Sequence, residues 1–408
     1  MLYLAGIFIT FFLAFILLTK KEKTVADNVL SGLLCIVGFQ LVNFYLILTQ
    51  HIYRYPFMLG VPIPLPLLDG PLLYLYTLTM TRNRGFVKRY WIHFIPFLAG
   101  YIIMYPFFTL SLDEKINVYK NRGAGFEMRN SILIIMMIIS GLLYVFFSFR
   151  ELNLYKKRIK AEYSDTEKIN LNWLRYLVSG ILIIWLLITF RARDPFIFGT
   201  AVVFVLFLGY FGITRIGIFT YQNRIMQAAN NAATKSIKSE LLEGDVTKAP
   251  QIEISGTGQT VITPIADIPI STGTAIAPEK AKYETSGLRT ETAQKIHLAL
   301  VELMGGEKMF KEPDLSLADL AKRLDVRPHN LSQVINTFEN KNFYDYINTL
   351  RIEEFKRIAS FPENRAYTLL SLAFECGFNA KTSFNRNFKK ITGQSPSEYL
   401  KMANIELK

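Results

Sequence analysis

Apolar residues follow two different patterns along this chain. Up to about residue 214 they form long unbroken runs; from about residue 290 they recur every three or four positions. The first run, residues 2–19, is uncharged and just long enough to cross a bilayer as a helix. No basic residue precedes it and no small-residue cleavage site follows, so it reads as a retained helix rather than a signal peptide. Six more runs follow at roughly 28–49, 66–81, 91–110, 131–149, 172–190 and 196–214. The pattern therefore predicts an N-terminal seven-transmembrane helical bundle over residues 1–220.

The polar stretches between the runs carry three features. Residues 53–74 hold Pro56, Pro62, Pro64, Pro66 and Pro71, which make a stiff, non-helical approach to the third run. Asp69 stands near the entry of that span. A carboxylate there is costly unless it is paired or faces a wet cavity, which makes it a candidate ligand-sensing residue. The alternative is a helix cap, with Pro71 close behind. Arg191 and Arg193, at the junction of the last two runs, have the charge to pair with Asp69 or to hold an anion; otherwise they belong to a solvated loop. Residues 113–130 form the longest loop on their side and contain Gly123 and Gly125. From 221 to 289 the composition changes, and from about 244 Gly, Thr, Ser, Pro, Ile and Ala predominate with little charge; this predicts a flexible linker. As a coil, such a stretch reaches on the order of 45 Å root-mean-square. Val261, Ile262 and Ile265 allow one short strand within it.

Helical periodicity returns at Thr290, a candidate cap, with Ile296, Leu300 and Leu303 on one face. Ser316 and Asp319 have capping-box spacing ahead of Leu317, Leu320 and Leu324. Leu331, Val334, Ile335 and Phe338 then form an inward face. They leave His329, Asn330, Ser332, Gln333 and Asn336 outward. A connecting helix follows, with Phe343, Ile347, Leu350 and Phe355 inward. Farther on, Leu370, Leu372, Ala373 and Phe374 line a short helix that Gly377 ends. Phe378, Phe384 and Phe388 are core-facing, with Lys381, Thr382, Asn385, Arg386 and Lys389 opposite them. Gly393 and Pro396 break the chain before a last helix that begins at Ser397.

The stretch from Gly377 to Tyr399 closely resembles the second helix-turn-helix of the AraC family of transcription regulators. The matching positions are Gly377, Phe378, Ser383, Phe384, Arg386, Phe388, Lys389, Gly393, Pro396 and Tyr399. The resemblance covers about residues 310–402 and implies an all-α domain over 290–408 with two helix-turn-helix units joined by one helix. It also implies double-stranded DNA as partner, with each second helix entering the major groove. His329, Ser332 and Gln333 stand where the family contacts bases in the first unit. Lys381, Thr382, Asn385 and Arg386 occupy the equivalent face of the second. Lys389 and Lys390 suit phosphate contacts.

Composition adds a restriction. Of the net +13 charge, +11 lies in residues 1–220 and only +2 in residues 291–408. Bulk charge is thus no argument for DNA binding, which rests on the motif. The basic residues do orient the bundle. Thirteen lie in the loops after the first, third and fifth runs, against seven in the alternate loops. The positive-inside rule then places the N-terminus outside and the DNA reader in the cytoplasm, on a multi-pass protein of the cytoplasmic membrane. Trp91 and Tyr90 beside Lys88 and Arg89 make an interfacial anchor. Two cysteines, Cys35 and Cys376, lie in unrelated contexts and suggest no disulfide; the four histidines have no metal-site spacing. No nucleophile elbow, P-loop or dinucleotide fingerprint occurs, so no enzyme and no cofactor is expected. Two readings remain open. In one, the bundle senses a small-molecule or protein signal and the tethered reader acts as a homodimer. In the other, the bundle is a passive anchor or scaffold, with control by partners or by proteolytic release.

Overall fold

A computed structural model describes residues 1–207 and 288–407, apart from 22, 83–87, 168 and 406. The linker expected over 221–289, with its candidate strand at Val261, Ile262 and Ile265, lies outside the described residues except at its last two positions. Among the described residues the secondary structure is helical, with one isolated antiparallel bridge, Tyr163 to Ser316.

Eight α-helices are seen among the described residues of the N-terminal part. They are α1 (Leu2–Thr19), α2 (Val25–Leu48), α3 (Pro66–Arg82), α4 (Ile95–Phe108), α5 (Leu112–Lys120), α6 (Glu127–Glu162), α7 (Asn172–Thr189) and α8 (Asp194–Phe207). Among the described residues five helical stretches are long and apolar enough to cross a membrane: α1, α2, Tyr90–Phe108, α6 and α7. The third apolar run forms the 17-residue α3, and the seventh is described only as far as Phe207. Phe8, Phe15, Ile102, Ile135, Ile139, Phe146 and Ile183 point outward and are exposed. Small residues let the helices approach one another. Gly38 of α2 faces the Phe11 ring of α1, Gly141 of α6 faces Trp185 of α7, and Gly180 of α7 faces Phe204 of α8.

Two apolar clusters define the ends of this bundle. One joins the start of α2, the end of α3, the second half of α6 and α7 through Ala26, Leu75, Leu78, Leu152 and Leu174. Its polar edge is buried Glu151, which accepts from Arg82 at 2.7 and 3.0 Å and from Arg158 at 3.1 Å. The other joins the 49–65 segment, the end of α4 and the first half of α6 through Ile52, Leu59, Met104, Phe107 and Leu133. The proline-rich approach to α3 consists of two short 3-10 turns, at His51–Arg54 and Pro56–Met58, and further turns up to Leu65. Asp69 does not cap α3, because that helix starts three residues earlier at Pro66. Most of the expected loop 113–130 is the amphipathic helix α5, capped by the reciprocal Ser111–Glu114 pair, and the start of α6.

Helix α6 departs most from expectation. Its apolar run ends near residue 149, yet the helix continues to Glu162, 36 residues in all. At 1.5 Å per residue that is about 54 Å, well beyond a bilayer core of ~30 Å. Leu152 and Ile159 bury one side of the extension.

The C-terminal part comprises α9 (Thr290–Gly306), α10 (Leu317–Arg323), α11 (Pro328–Glu339), α12 (Phe343–Ala359), α13 (Leu369–Glu375), α14 (Lys381–Thr392) and α15 (Pro396–Met402). Two cores meet on α12. Its first half, with Phe343, Tyr346 and Ile347, packs with α9, α10 and α11. Its second half, with Ile352, Phe355 and Ile358, packs with α13, α14 and α15. Thr290 is the first helical residue of α9 rather than its cap, and Ser395, reciprocally bonded with Glu398, caps α15 one residue before Pro396. Phe338 and Phe374, expected inward, are 38% and 45% exposed. Phe338 stacks instead on His297 at 4.6 Å between ring centroids.

Candidate nucleic-acid interface and its dock

Two pairs of helices in the C-terminal part share one construction: a short helix, a tight turn, then a longer helix. In the first pair Ser316 and Asp319 cap α10 reciprocally, and Ser316 Oγ accepts from the Asp319 amide at 3.2 Å. Asp325, at φ +52°, turns the chain into α11. Leu331, Val334 and Ile335 are fully buried, which turns His329 to solvent and leaves Asn330, Ser332, Gln333 and Asn336 half-exposed along one side. In the second pair Thr368 caps α13, and Gly377 ends it at φ +94°. Phe384 and Phe388 anchor α14 beneath, each fully buried and flanked by Phe355. Lys381, Thr382, Arg386 and Lys389 are exposed as a consequence, and Asn385 is half-exposed. The expected outward residues of each helix thus share a face. Lys390, by contrast, is held by Asp345 at 2.7 Å.

The polar residues beneath α14 were not singled out from the sequence. Asn387 is buried and donates to the Tyr344 hydroxyl at 2.8 Å and to the Ser383 carbonyl at 2.9 Å. Arg386 Nη2 donates to the same hydroxyl at 2.9 Å. Tyr344 of α12 therefore fixes the base of α14. Arg351, 1% exposed, donates to the carbonyls of Phe310, at 2.7 Å, and Glu312, at 2.7 Å; burial pushes its guanidinium down to about 10. It stays charged at neutral pH and ties α12 to the segment before α10.

The bundle reaches this surface. Beyond α6, residues 163–167 lie along the junction of α10, α12 and α14. Ser164 donates to the Leu315 carbonyl from its backbone at 3.2 Å and from its hydroxyl at 2.6 Å. The Ser164 carbonyl accepts from Asn348 at 2.9 Å, and its hydroxyl accepts from Arg351 at 3.2 Å. Asn379 donates to Asp165 at 3.1 Å. Arg386 Nη1 lies 2.8 Å from the Glu167 carboxylate. Lys160, in the last turn of α6, sits 5.0 Å over the Tyr344 ring. Ser164 is fully buried, which marks a fitted contact rather than a passing one. Two carboxylates thus reach this unit: Asp165 at Asn379, just ahead of α14, and Glu167 at Arg386 on its exposed face.

Within the bundle, Asp69 accepts from Gln40 at 3.2 and 3.3 Å. The pair lines an otherwise apolar cavity of about 130 Å³ between α2, α3, α7 and α8, which also takes in Trp185 and Phe204. Arg191 and Arg193 are exposed in the α7–α8 turn and do not line that cavity. A larger cavity, about 360 Å³, opens at the far end of the bundle between α5, α4 and α6, with Tyr119, Arg122 and Asn130 among its polar residues. No group of three or more metal-ligating side chains occurs among the described residues.

Comparison with known proteins matches residues 320–402 to a family model described as a helix-turn-helix domain. Similar relatives include uncharacterized HTH-type transcriptional regulators of Staphylococcus aureus strains COL, MSSA476 and N315. Each is 31% identical over 86 residues, which is 21% of this chain and 11% of the relative. The chain thus spans about a tenth of the length of the curated relatives it matches. No solved structure matches. Residues 320–402 are a helix-turn-helix domain of the kind found in transcriptional regulators.

Proposed function

We propose that the chain is a membrane-embedded, sequence-specific transcription regulator of AraC type. Seven spans form its bundle, with the N-terminus outside, and its two helix-turn-helix units read promoter DNA in the cytoplasm. The observation that carries this reading is the contact of residues 163–167 with the helix-turn-helix domain. It joins a long apolar bundle to a DNA reader through specific hydrogen bonds. It also agrees with the loop charges. The turn that touches the reader is the most basic of the odd-numbered loops, the side that the positive-inside rule assigns to the cytoplasm. The exposed apolar belt needs a covering that lipid supplies.

In this reading α11 and α14 enter successive major-groove segments. His329, Asn330, Ser332, Gln333 and Asn336 face the first, and Lys381, Thr382, Asn385, Arg386 and Lys389 the second. Gln333 suits adenine and Arg386 suits guanine or phosphate. The bundle is a sensor rather than a passive anchor, because an anchor has no use for a fitted dock on the reader. A signal enters through the outer cavity at Arg122 and Asn130 or through the core cavity at Asp69; Arg191 and Arg193 stay in the exposed α7–α8 turn, outside that cavity. Release of Arg386 from Glu167 frees the second reading helix. Two copies held in one membrane would bring paired readers to neighbouring half-sites.

The test is genome-wide occupancy to find the operator, followed by binding of that DNA to full-length protein in nanodiscs. Arg386→Ala is expected to abolish binding at near-physiological salt. Unchanged binding would overturn the assignment of α14.

A further inference from the structure

We propose that the seam between the inner end of the bundle and α14 is a binding site for a phosphate group. The seam is a cavity of about 130 Å³ lined by Lys156 and Lys160 of α6, Thr166 and Asn170 of the following turn, Arg175 of α7, and Arg386 of α14. Four cationic side chains from three helices and two parts of the chain converge on it, with hydroxyl and amide donors between them.

The arrangement is unbalanced in charge. Among the described residues Lys156 and Arg175 have no carboxylate partner; Arg175 is held by the neutral amide oxygen of Asn153. Burial pushes Lys156 below the ordinary lysine range, and the facing charges of Arg175, Lys160 and Arg386 push it the same way. Lys160 rests on the Tyr344 ring, and Glu167 pairs with Arg386. Like charges gathered in a partly enclosed space favour a multivalent anion. Two arginine forks, two ammonium groups and a hydroxyl suit the oxygens of a phosphate better than a lone carboxylate. The cavity lies where α6 leaves the apolar belt, so an inner-leaflet phospholipid headgroup and a soluble phosphate both have access to it. Either source presents the same group to the same side chains. A phosphate seated there touches the bundle through Lys156 and Arg175 and the reader through Arg386. It therefore ties the two together and holds the reader docked.

The proposal rests on the docked arrangement used above, not on DNA recognition, so binding is measured without DNA. Full-length protein in phosphatidylcholine nanodiscs is titrated with inorganic pyrophosphate by calorimetry. In a second arm, phosphatidylglycerol replaces part of the phosphatidylcholine, and retained lipid is counted by native mass spectrometry. Lys156→Gln is compared with Lys157→Gln, an equal charge change on the same helix away from the cavity, and Arg175→Lys tests for partial rescue relative to Arg175→Gln. We expect one probe to bind, Lys156→Gln and Arg175→Gln to weaken it about tenfold, and Lys157→Gln to change it less than twofold. Pyrophosphate binding identifies a soluble ligand, and selective retention of phosphatidylglycerol a lipid headgroup. Failure of both probes, or equal weakening by Lys156→Gln and Lys157→Gln, overturns the proposal. Operator binding in parallel samples reports on the regulator reading separately: a protein that binds phosphate but no DNA keeps this site and loses that function.

Discussion

Gly377 closes α13 at φ +94°, and a Cβ there would lie 2.7 Å from the Lys311 carbonyl oxygen and 2.8 Å from that of Phe310. Both the backbone angle and the space exclude a side chain, and the obstructing atoms are backbone that Arg351 holds in place. Gly377→Ala is expected to destabilise the C-terminal helices by more than about 2 kcal/mol, since unfavourable backbone angle and overpacking add. Gly393 is a useful contrast: its φ is +80°, but the space around it is open. Gly393→Ala should cost only about 1 kcal/mol, so thermal unfolding of the two variants separates steric from conformational cost. Single residues were legible in the sequence where one rule governed them. The buried phenylalanines of α14 follow from helical spacing, and Gly377 follows from its place after a short helix. Phe338 and Phe374 were not legible. Each sits at the rim of its helix's apolar face, where spacing predicts burial but the cover is partial: Phe338 meets the His297 ring of α9 on one face and stays 38% exposed, and Phe374 stays 45% exposed.

At the scale of elements, caps and breakers carried the boundaries. Ser316 and Asp319 form the reciprocal pair their spacing predicts, and Ser316 also pairs with Tyr163 in the isolated bridge. Ser316→Ala should therefore cost about 0.5–2 kcal/mol of helix stability while the backbone bridge persists, since only the side-chain acceptor is lost. Amide hydrogen exchange at Asp319 would report the lost acceptor, and protection at Ser164 should remain. The length of α6 was hidden for a physical reason. Its apolar run stops near residue 149, and the following residues are charged, which reads as a loop when lipid is taken as the only partner. In the fold the extension is amphipathic instead. Leu152 and Ile159 face inward, Arg158 joins Arg82 on Glu151, and Lys160 covers Tyr344. Asp69 shows the same limit. Its partner Gln40 lies 29 positions earlier in another apolar run, and sequence spacing does not connect them.

At the scale of the molecule, the dock joins residues far apart in the chain. Ser164 and Leu315 are 151 positions apart, and Asp165 and Asn379 are 214 apart. No local pattern signals such pairings, so the two helix pairs of the C-terminal part were legible in the sequence and their contact with the bundle was not. The attachment has a definite energetic sense. Asp165 accepts from Asn379 just ahead of α14, and Glu167 pairs with Arg386 on the face of α14 proposed to approach DNA. Removing both charges eliminates the competing acceptor and the like-charge repulsion, while the Ser164 hydrogen bonds and the buried apolar contacts remain. Asp165→Asn with Glu167→Gln is therefore expected to tighten operator binding by full-length protein in nanodiscs about five- to tenfold, the equivalent of ~1–1.4 kcal/mol. The gain should shrink as salt rises, because the removed charges act on a partly exposed surface. Ser164→Trp tests the same equilibrium without changing charge. Ser164 is fully buried, so an indole has no room and the reader must leave the bundle. Both variants should then bind operator more tightly than the parent, and the Ser164→Trp gain should also shrink as salt rises, since undocking carries the same two carboxylates away from α14. If neither variant differs from the parent, the dock does not compete with DNA, and control of the reader lies elsewhere in the chain.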